Sequence, residues 1–440
     1  MGETHPPQIE RLLELVSTRT GVVRRLDRVV RGVDEPTPPV LYAATVSNYD
    51  FKRVPAAERS AAGKGLTASA AIGSAIGEAV ERYCASHVEP SRLVRTTLRN
   101  APDGALPPHE LVLFSPRQYA RPGFPFVAPE PETTIDWVRT TELGDAGEPI
   151  GEIWVPAVAV FLHGNNVMPG DTLFMSNSSG LAAGPDAAAA TRSALCELIE
   201  RDAFVVTWLL RLAPSRIVVD EPAGPLAAIV EHYARFGVEL QLHALASDIG
   251  VPVVLALALS GDPAGPAAVV GLGCHLDAGE AALRAAFEVA QIRPSQVEHL
   301  RRPRQLSAVD VKGIEDHSAY FAQPEALPEL DFIRCTPRSA ALSALPRRAH
   351  ADAASDVATC AAALRRIGCR VFACDVTTPD LAPYPIRVMR AIASGLQPIH
   401  FGHGMERLGG TRLDEAARRL RPGTAPPGED GLNPCPHPLA

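Results

Sequence analysis

The strongest constraint on the fold is a pattern of serine, glutamate and arginine that occurs twice, 119 residues apart. Residues 65–82 and 184–201 each contain a glycine, an alanine-rich stretch and then Ser-x-x-x-Glu-x-x-Glu-Arg. A duplicated segment at constant offset indicates a fold assembled from related units. The matching positions are Ser74, Glu78, Glu81 and Arg82 in the first copy, and Ser193, Glu197, Glu200 and Arg201 in the second.

A weaker third copy follows at residues 284–293. It keeps the first glutamate as Glu288 and has Gln291 in place of the second. Ile292 occupies the position of the arginine, and Arg293 comes one residue later. The third copy therefore adds an amide oxygen and a displaced arginine to the same predicted arrangement.

Each copy is predicted to place its acidic residues on one face of a buried helix. At about 100° per residue, positions i, i+4 and i+7 lie within roughly 60° of one another, so Ser74, Glu78 and Glu81 form one narrow row. The rest of the first helix, including Ile76 and Val80, is apolar nearly all round. Such a helix is typical of a protein interior.

Buried carboxylates one turn apart are costly, and they predict a bound cation. The two charges repel each other, and each loses its hydration unless a cation or strong donors compensate. Carboxylate and amide oxygens suit Mg²⁺, which keeps some waters and bridges to phosphates, and arginines bind phosphate oxygens bidentately. For a single copy, ordinary Glu–Arg ion pairs on solvated helices would be the better interpretation. Duplication inside apolar helices favours the metal and phosphate site.

Lys64 is one of only three lysines in the chain and lies between Gly63 and Gly65, just before the first acidic helix. Flanking glycines allow a backbone to approach a ligand closely, and an ammonium group is a compact phosphate contact. Residues 176–180 offer small polar donors before the second helix. Taken alone, Gly-Lys-Gly is more typical of a simple turn, and no Walker A motif is present.

The rest of the chain alternates apolar strand-like runs with alanine-rich helices and favours one large α+β unit. We expect a helical lead-in over residues 1–45, including helical periodicity from 8 to 31, then a catalytic domain over 46–420 and a Pro-rich tail over 421–440. Strands are predicted at 40–46, 153–160, 251–259, 267–273 and 371–376. Helices are predicted at 68–85, 187–210, 279–291 and 353–367.

Composition excludes several classes of protein. The formal net charge is −8 with only short basic clusters, which argues against nucleic-acid binding. The longest apolar run, residues 251–259, is about half of what a membrane-spanning helix requires. No Cys-x-x-Cys pair supports a structural zinc site. We expect a soluble, cytoplasmic protein.

From residue 63 to the end, the chain resembles the YcaO superfamily. The most specific segments are GKGLTASAAIGSAIGEAVERY, SNSSGLAAGPDAAAATRSALCELIERDAF, GCHLDAGEAALRAAFEVAQIR, SGLQPIHFGHGMERLGGTRL and PCPHP. The resemblance implies repeated strand and acidic-helix units around a pocket for ATP and Mg²⁺. It implies metal and phosphate-shell ligands at Glu78, Glu81, Glu197 and Glu200. It implies phosphate contacts from Arg201 and Arg293, and nucleotide or metal support from Lys64, Ser74, Ser193 and Gln291.

The tail distinguishes subfamilies within this resemblance. Pro434, Pro436 and Pro438 form the PxPxP ending that, in the family, marks azoline-forming cyclodehydratases and reaches into the active site. Composition alone would favour a disordered tail, whereas proline spacing gives a stiff, extended rod. A base is also required, and candidates are His437 or the terminal carboxylate, with His400 and His403 as alternatives.

The resemblance implies an ATP-dependent cyclodehydratase of the thiazole/oxazole-modified microcin type, acting on Cys, Ser or Thr of a ribosomal precursor peptide. Expected partners are that peptide and an E1-like or ocin-ThiF-like leader-binding protein. A flavin dehydrogenase and a homodimer are left open. The alternatives are a thioamide-forming YcaO enzyme and a non-catalytic ATP-binding scaffold. An ATP-grasp or kinase-like fold is more distant, since no matching phosphate loop is present.

Overall fold

A computed structural model describes residues 4–47, 60–162, 172–220, 224–301 and 304–439. The α-helices are α1 (Pro7–Leu13), α2 (Ala68–Ser86), α3 (Pro116–Tyr119), α4 (Ala187–Leu209), α5 (Pro225–Arg235), α6 (Ala278–Leu300), α7 (Ile314–Phe321), α8 (Asp331–Arg334), α9 (Ala353–Arg366) and α10 (Arg412–Leu420). The strands are β1 (Val23–Arg28), β2 (Val40–Val46), β3 (Ser60–Gly65), β4 (Leu93–Thr97), β5 (Thr134–Leu143), β6 (Pro149–Pro156), β7 (Leu181–Gly184), β8 (Ser215–Val218), β9 (Val238–Ala244), β10 (Val253–Ser260), β11 (Ala268–Cys274), β12 (Ser339–Ala341), β13 (Val371–Asp375) and β14 (Arg387–Ala393).

Three sheets share one design, in which a strand at the edge leads directly into an acidic helix. The sheet orders are β1-β2-β3, β4-β5-β13-β14-β7 with β6 beside β5, and β11-β10-β9-β8-β12. The edge strands β3, β7 and β11 precede helices α2, α4 and α6. The predicted α+β fold with repeated strand and acidic-helix units is confirmed, and the third copy is a full structural unit.

The three units close into a ring. Helix α2 contacts β7 of the second unit, α4 contacts β11 of the third, and α6 contacts β3 of the first. Each helix therefore packs both on its own strand and on the strand of the next unit. This arrangement brings the acidic faces of three helices that lie far apart in sequence toward a common centre.

Each acidic helix begins at a capping residue eleven positions before its first glutamate. The side chains of Thr67, Asp186 and Asp277 accept hydrogen bonds from the first-turn amides of α2, α4 and α6. Such caps satisfy amides that have no partner within the helix. The cap position repeats in all three copies and is a sequence feature that supports the third copy independently.

The Gly63-Lys64-Gly65 segment is the end of strand β3, hydrogen-bonded to β2, and not a simple turn. A Cβ atom on Gly63 would lie 2.1 Å from the backbone oxygen of Ala71. Glycine is required here because α2 lies directly on the strand. Gly271 of β11 has the same role, since its Cβ would lie 2.5 Å from the oxygen of Ala285 in α6.

The helices α2 and α4 are buried, as their apolar sequences predict. Ala75, Ile76, Ala79 and Val80 of α2 have no exposed surface. The second half of α4 contributes Phe204, Val205, Trp208 and Leu209 to a core formed with β10, β11 and α9. Burying a side chain of that size stabilises a fold by about 1.5–3 kcal/mol. The acidic faces are therefore carried on rigid, deeply packed helices.

The predicted strands at 40–46, 251–259, 267–273 and 371–376 are confirmed to within about two residues. The strand expected at 153–160 runs earlier, from Pro149 to Pro156. The prediction for residues 8–31 is largely wrong, since the helix ends at Leu13 and Val23–Arg28 is a strand. Strand pairing with β2 overrides the local periodicity there. No helix within the described ranges is long and apolar enough to cross a membrane.

Candidate active site

The first glutamate of each repeat makes the same hydrogen bond to its own unit. Glu78 Oε2 accepts from the amide of Ala62 at 3.0 Å, and Glu197 Oε2 accepts from Gly180 at 3.2 Å. Glu288 Oε2 accepts from Leu272 at 2.6 Å. These bonds fix each carboxylate between its helix and the segment that precedes it. The second oxygens of Glu78 and Glu197 accept from Arg82 and Arg201 of the same helices.

The second glutamates connect neighbouring units. Glu81 Oε1 accepts from the amide of Ala183 in β7 at 2.6 Å, across to the second repeat. Burial raises the pKa of Glu81 well above its ordinary value, and the charges of Glu78 and Glu197 raise it further. Burial likewise raises the pKa of Glu200 to about 8, with Glu288 and Glu197 adding to the effect. The carboxylates of all three units therefore lie close enough to repel one another.

Positive charge surrounds this acidic cluster. Arg201 lies 3.6 Å from Glu200 and 3.4 Å from Glu197, and the charge of Lys64 also acts on Glu200. Arg82 pairs with Glu78 at 2.7 Å. Burial raises the pKa of Glu197 even with Arg201 adjacent. The arginines therefore only partly offset the desolvation of the carboxylates.

The oxygens around this centre fit a Mg²⁺ ion bound together with phosphates. Gln291 Oε1 is buried and has no hydrogen-bond partner among the described residues, so this acceptor oxygen is available to a ligand. Within the same residues, no three Asp, Glu, His or Cys side chains already converge as a metal-binding group. Mg²⁺ commonly uses one or two protein carboxylates and completes its shell with water and substrate phosphates. The cluster thus suits a nucleotide-bound metal better than an all-protein cage.

Arg293 is committed elsewhere, contrary to its predicted phosphate contact. Its guanidinium group bonds to the carboxylates of Asp34 and Glu35, and it is almost fully buried. The one-residue displacement from the repeat explains this, because it turns the side chain about 100° around the helix.

The two serines of the repeat lie on the more open side, with Ser74 exposed and Ser193 partly exposed. Their contribution to nucleotide binding remains a prediction.

The C-terminal segment packs into the protein next to α4. Its composition alone would have favoured a disordered tail, which is not what the structure shows for residues up to Leu439. The amide of Asn433 donates to the oxygen of Leu209, and Trp208 Nε1 donates to the oxygen of Cys435, both at 2.8 Å. Pro434 is exposed, whereas the segment from Cys435 to Leu439 is buried. The charge of Arg201 acts on His437, so the segment approaches the acidic cluster.

His437 is a poor candidate for the catalytic base. Its side chain is fully buried, and burial lowers its pKa well below the ordinary value. His437 Nε2 donates to the oxygen of His400, and His317 Nδ1 donates to the oxygen of His437, both at 2.6 Å. The imidazole therefore anchors the tail. His400 is also buried, His403 is partly exposed, and the terminal residue Ala440 lies outside the described residues.

Glu288, which the third copy adds to the candidate oxygen ligands, repeats the bond made by Glu78 and Glu197. Two arginines near the site were not singled out from the sequence. Arg390 of β14 and Arg407 line a cavity of about 80 Å³ together with Arg201. Arg407 lies in the SGLQPIHFGHGMERLGGTRL segment, but neither arginine belongs to the repeat, because a single basic residue on a strand or loop has no periodic context.

Comparisons with known proteins agree with this architecture. Residues 62–397 match the model of a family described as YcaO cyclodehydratase, ATP- and Mg²⁺-binding. An uncharacterized protein of Methanothermobacter thermautotrophicus is 32% identical over 329 residues, which cover 71% of this chain and 76% of the relative.

Solved structures share the fold at lower identity. A heterocyclase in complex with substrate and cofactor superposes with a TM-score of 0.79 at 22% identity, covering 99% of this chain and 58% of that protein. The chain thus spans little more than half the length of that heterocyclase. YcaO from Methanopyrus kandleri bound with AMPPCP and Mg²⁺ superposes with a TM-score of 0.61 at 22% identity, covering 85% of this chain and 86% of that protein. A chain of the Escherichia coli microcin synthetase McbBCD complex with pro-MccB17 bound superposes with a TM-score of 0.56 at 16% identity, covering 84% of this chain and 86% of that one.

Proposed function

The chain belongs to the YcaO cyclodehydratase family, and from this premise we propose that it forms thiazolines or oxazolines from Cys, Ser or Thr residues of a ribosomal precursor peptide at the expense of ATP. The family binds ATP and Mg²⁺. The observation that carries the proposal is the meeting of three acidic helices beside Arg201, with the orphan oxygen of Gln291 nearby on the third helix.

In the proposed reaction, the thiol or hydroxyl group of the peptide attacks the carbon of the preceding backbone carbonyl. A C–S or C–O bond forms as the thiol or hydroxyl proton passes to a base, and the carbonyl oxygen takes the γ-phosphoryl group as ADP departs. Loss of phosphate breaks the carbon–oxygen bond, and loss of the amide proton completes the C=N bond of the azoline. The peptide has then lost the elements of one water, and ATP has become ADP and phosphate.

The residues of the chain would act mainly by positioning and neutralising charge, which is the main requirement of phosphoryl transfer. Bound Mg²⁺ would neutralise phosphate charge. We assign its protein ligands to Glu78, Glu81, Glu197 and Glu200, with Gln291 and Glu288 completing the acidic centre. Arg201 would contact phosphate oxygens from a buried position, where a charge-assisted hydrogen bond is strong.

The ordered tail favours azoline formation over the alternatives. We propose that Pro436 and Pro438 hold the C-terminal segment near Arg201, where it would border the peptide. A stiff proline-rich segment can be fixed there with little further loss of conformational entropy. His437 would anchor this segment instead of serving as the base.

We further propose that a separate E1-like or ocin-ThiF-like protein presents the precursor peptide, and that the chain works in the cytoplasm. The family resemblance supports such a partner, and one structural relative is a multi-protein synthetase complex. The chain alone would then turn over slowly and be strongly stimulated by the partner. Equal turnover with and without the partner would refute this part of the proposal.

Mass spectrometry of the peptide tests the proposed reaction. The chain, its partner and the precursor peptide would be incubated with Mg-ATP and then separated. Azoline formation predicts the loss of one water per modified residue. Replacement of an oxygen by a sulfur when sulfide is supplied would instead identify a thioamide-forming enzyme. An unchanged peptide, with intact complex assembly, would indicate a scaffold.

A further inference from the structure

A small cavity beside the acidic cluster is lined by three arginines, Arg201, Arg390 and Arg407. Arg407 is only 9% exposed, and its guanidinium group lies over the ring of Phe174 at 4.2 Å. Across the described residues, no hydrogen bond or ion pair engages that guanidinium group. A buried cation without an anionic partner is costly, and a ligand of negative charge would offset that cost.

Arg390 strengthens the positive character of the cavity. It is 5% exposed and donates to two backbone oxygens, those of Ala159 and Asn177, each at 2.9 Å. Burial lowers the pKa of Arg390 to about 10, although the charge of Glu197 opposes this shift, and burial lowers the pKa of Arg407 to about 9. The charge of Arg390 also lowers the pKa of Arg407, so the two side chains face a shared space. An anion between them would remove this repulsion.

The dimensions of the cavity limit what it can hold. Its volume of about 80 Å³ compares with roughly 10–15 Å³ needed for one water measured in a similar way. The space therefore accommodates a group of a few heavy atoms, the size of a phosphate ion. Apolar side chains including Leu111, Val158 and Ile399 form part of the wall, so the arginines are the main polar partners that the cavity offers to an anion.

We infer that this arginine cavity binds inorganic phosphate, the anion released when the phosphorylated amide collapses to the azoline. The inference rests on the proposed function for the origin of the phosphate. Arg201 joins the two sites, since it contacts Glu197 and Glu200 on one side and lines the cavity on the other. Three guanidinium groups suit a tetrahedral, multiply charged oxyanion better than the single charge of a peptide carboxylate.

Titration of the full chain with phosphate at constant ionic strength, without peptide or nucleotide, tests the inference by calorimetry. Wild-type protein is expected to bind phosphate saturably and more tightly than acetate. Arg407→Met is expected to lose at least about tenfold in phosphate affinity, because one charge-assisted contact is removed. Arg235→Met, which removes an exposed arginine paired with Glu231 on the surface, should bind phosphate as wild type does.

Thermal unfolding of the same variants separates loss of the site from loss of the fold. Without phosphate, Arg407→Met should unfold at the same temperature as wild type or higher, since an unpaired buried charge has gone. Phosphate binding should persist with Mg-ADP present. The inference fails if Arg407→Met binds phosphate normally, if acetate binds as well as phosphate, or if Mg-ADP abolishes phosphate binding. Because no peptide is used, a protein that makes no azoline could still pass this test.

Discussion

The carboxylate of Glu81 accepts a hydrogen bond from the backbone amide of Ala183 at 2.6 Å, which joins the first acidic helix to the strand that introduces the second. Together with the contacts of α4 on β11 and of α6 on β3, this bond closes a ring of three strand–helix units. The ring explains why carboxylates separated by more than a hundred residues share one site. It also explains the raised pKa values of Glu81 and Glu200, since burial and then the charges of neighbouring carboxylates disfavour their ionised forms.

Replacing Glu200 by Gln should leave the metal-free fold as stable as before or make it more stable. The pKa of Glu200 is raised to about 8 mainly by burial, so its charge is unfavourable when no cation is bound. Chemical denaturation at pH 8.5 of wild type and Glu200→Gln measures this. A loss of more than about 2 kcal/mol, the scale of a broken buried interaction, would show that the carboxylate stabilises the fold.

The buried ion cluster that joins Arg412 of α10 to Asp202 of α4 and to Asp248 should be a major source of stability. Arg412 donates to both oxygens of Asp202 and also bonds to Asp248, with all three side chains almost fully buried. Asp202→Asn should lower the free energy of unfolding by about 3–5 kcal/mol, because it leaves a buried arginine partly unpaired. Asp414→Asn, at an exposed surface pair, is the matched control and should have little effect. Equal stability of the two variants would contradict this assignment.

Acidification should destabilise the protein through the histidines that anchor the tail. Burial lowers the pKa of His317 to about 4 and that of His400 to about 3. Since an unfolded histidine binds a proton near pH 6.5, stability is full above that value and is lost as pH falls toward 4. One such group costs roughly 2 kcal/mol at pH 5. His317→Asn should show a shallower loss of melting temperature between pH 7 and 5, and an unchanged slope would count against the histidine cluster.

His317 should act as a positioning residue for the tail. Its Nδ1 donates to the oxygen of His437, and its Nε2 accepts from the amide of Gly402 at 3.0 Å. His317→Ala should make residues 433–439 sensitive to carboxypeptidase and lower peptide turnover, while binding of Mg-AMPPCP persists. The exposed His299→Ala is the control and should change neither property. Loss of nucleotide binding in His317→Ala would show a wider structural defect instead.

The acidic helices and the α+β fold could be predicted because repetition and burial leave a clear pattern in Glu78, Glu81, Glu197 and Glu200. The structure of the lead-in, residues 1–45, could not be predicted, because strand Val23–Arg28 is specified by pairing with β2 and not by its own periodicity. Arg293 was misassigned because a one-residue displacement redirects a helical side chain to a different face. Arg407 lies in a segment that carries the family resemblance but outside the repeat, and only the folded chain brings it beside Arg390 and Arg201.

Calorimetric titration with AMPPCP, in the presence and absence of Mg²⁺, tests the central claim most directly. Wild-type protein should bind the nucleotide tightly only with Mg²⁺ present. Glu81→Gln and Glu200→Gln should each lose this Mg²⁺-dependent binding by at least about tenfold, whereas Glu231→Gln on the surface should match wild type. Undiminished Mg²⁺-dependent binding by both acidic-helix variants would contradict the account.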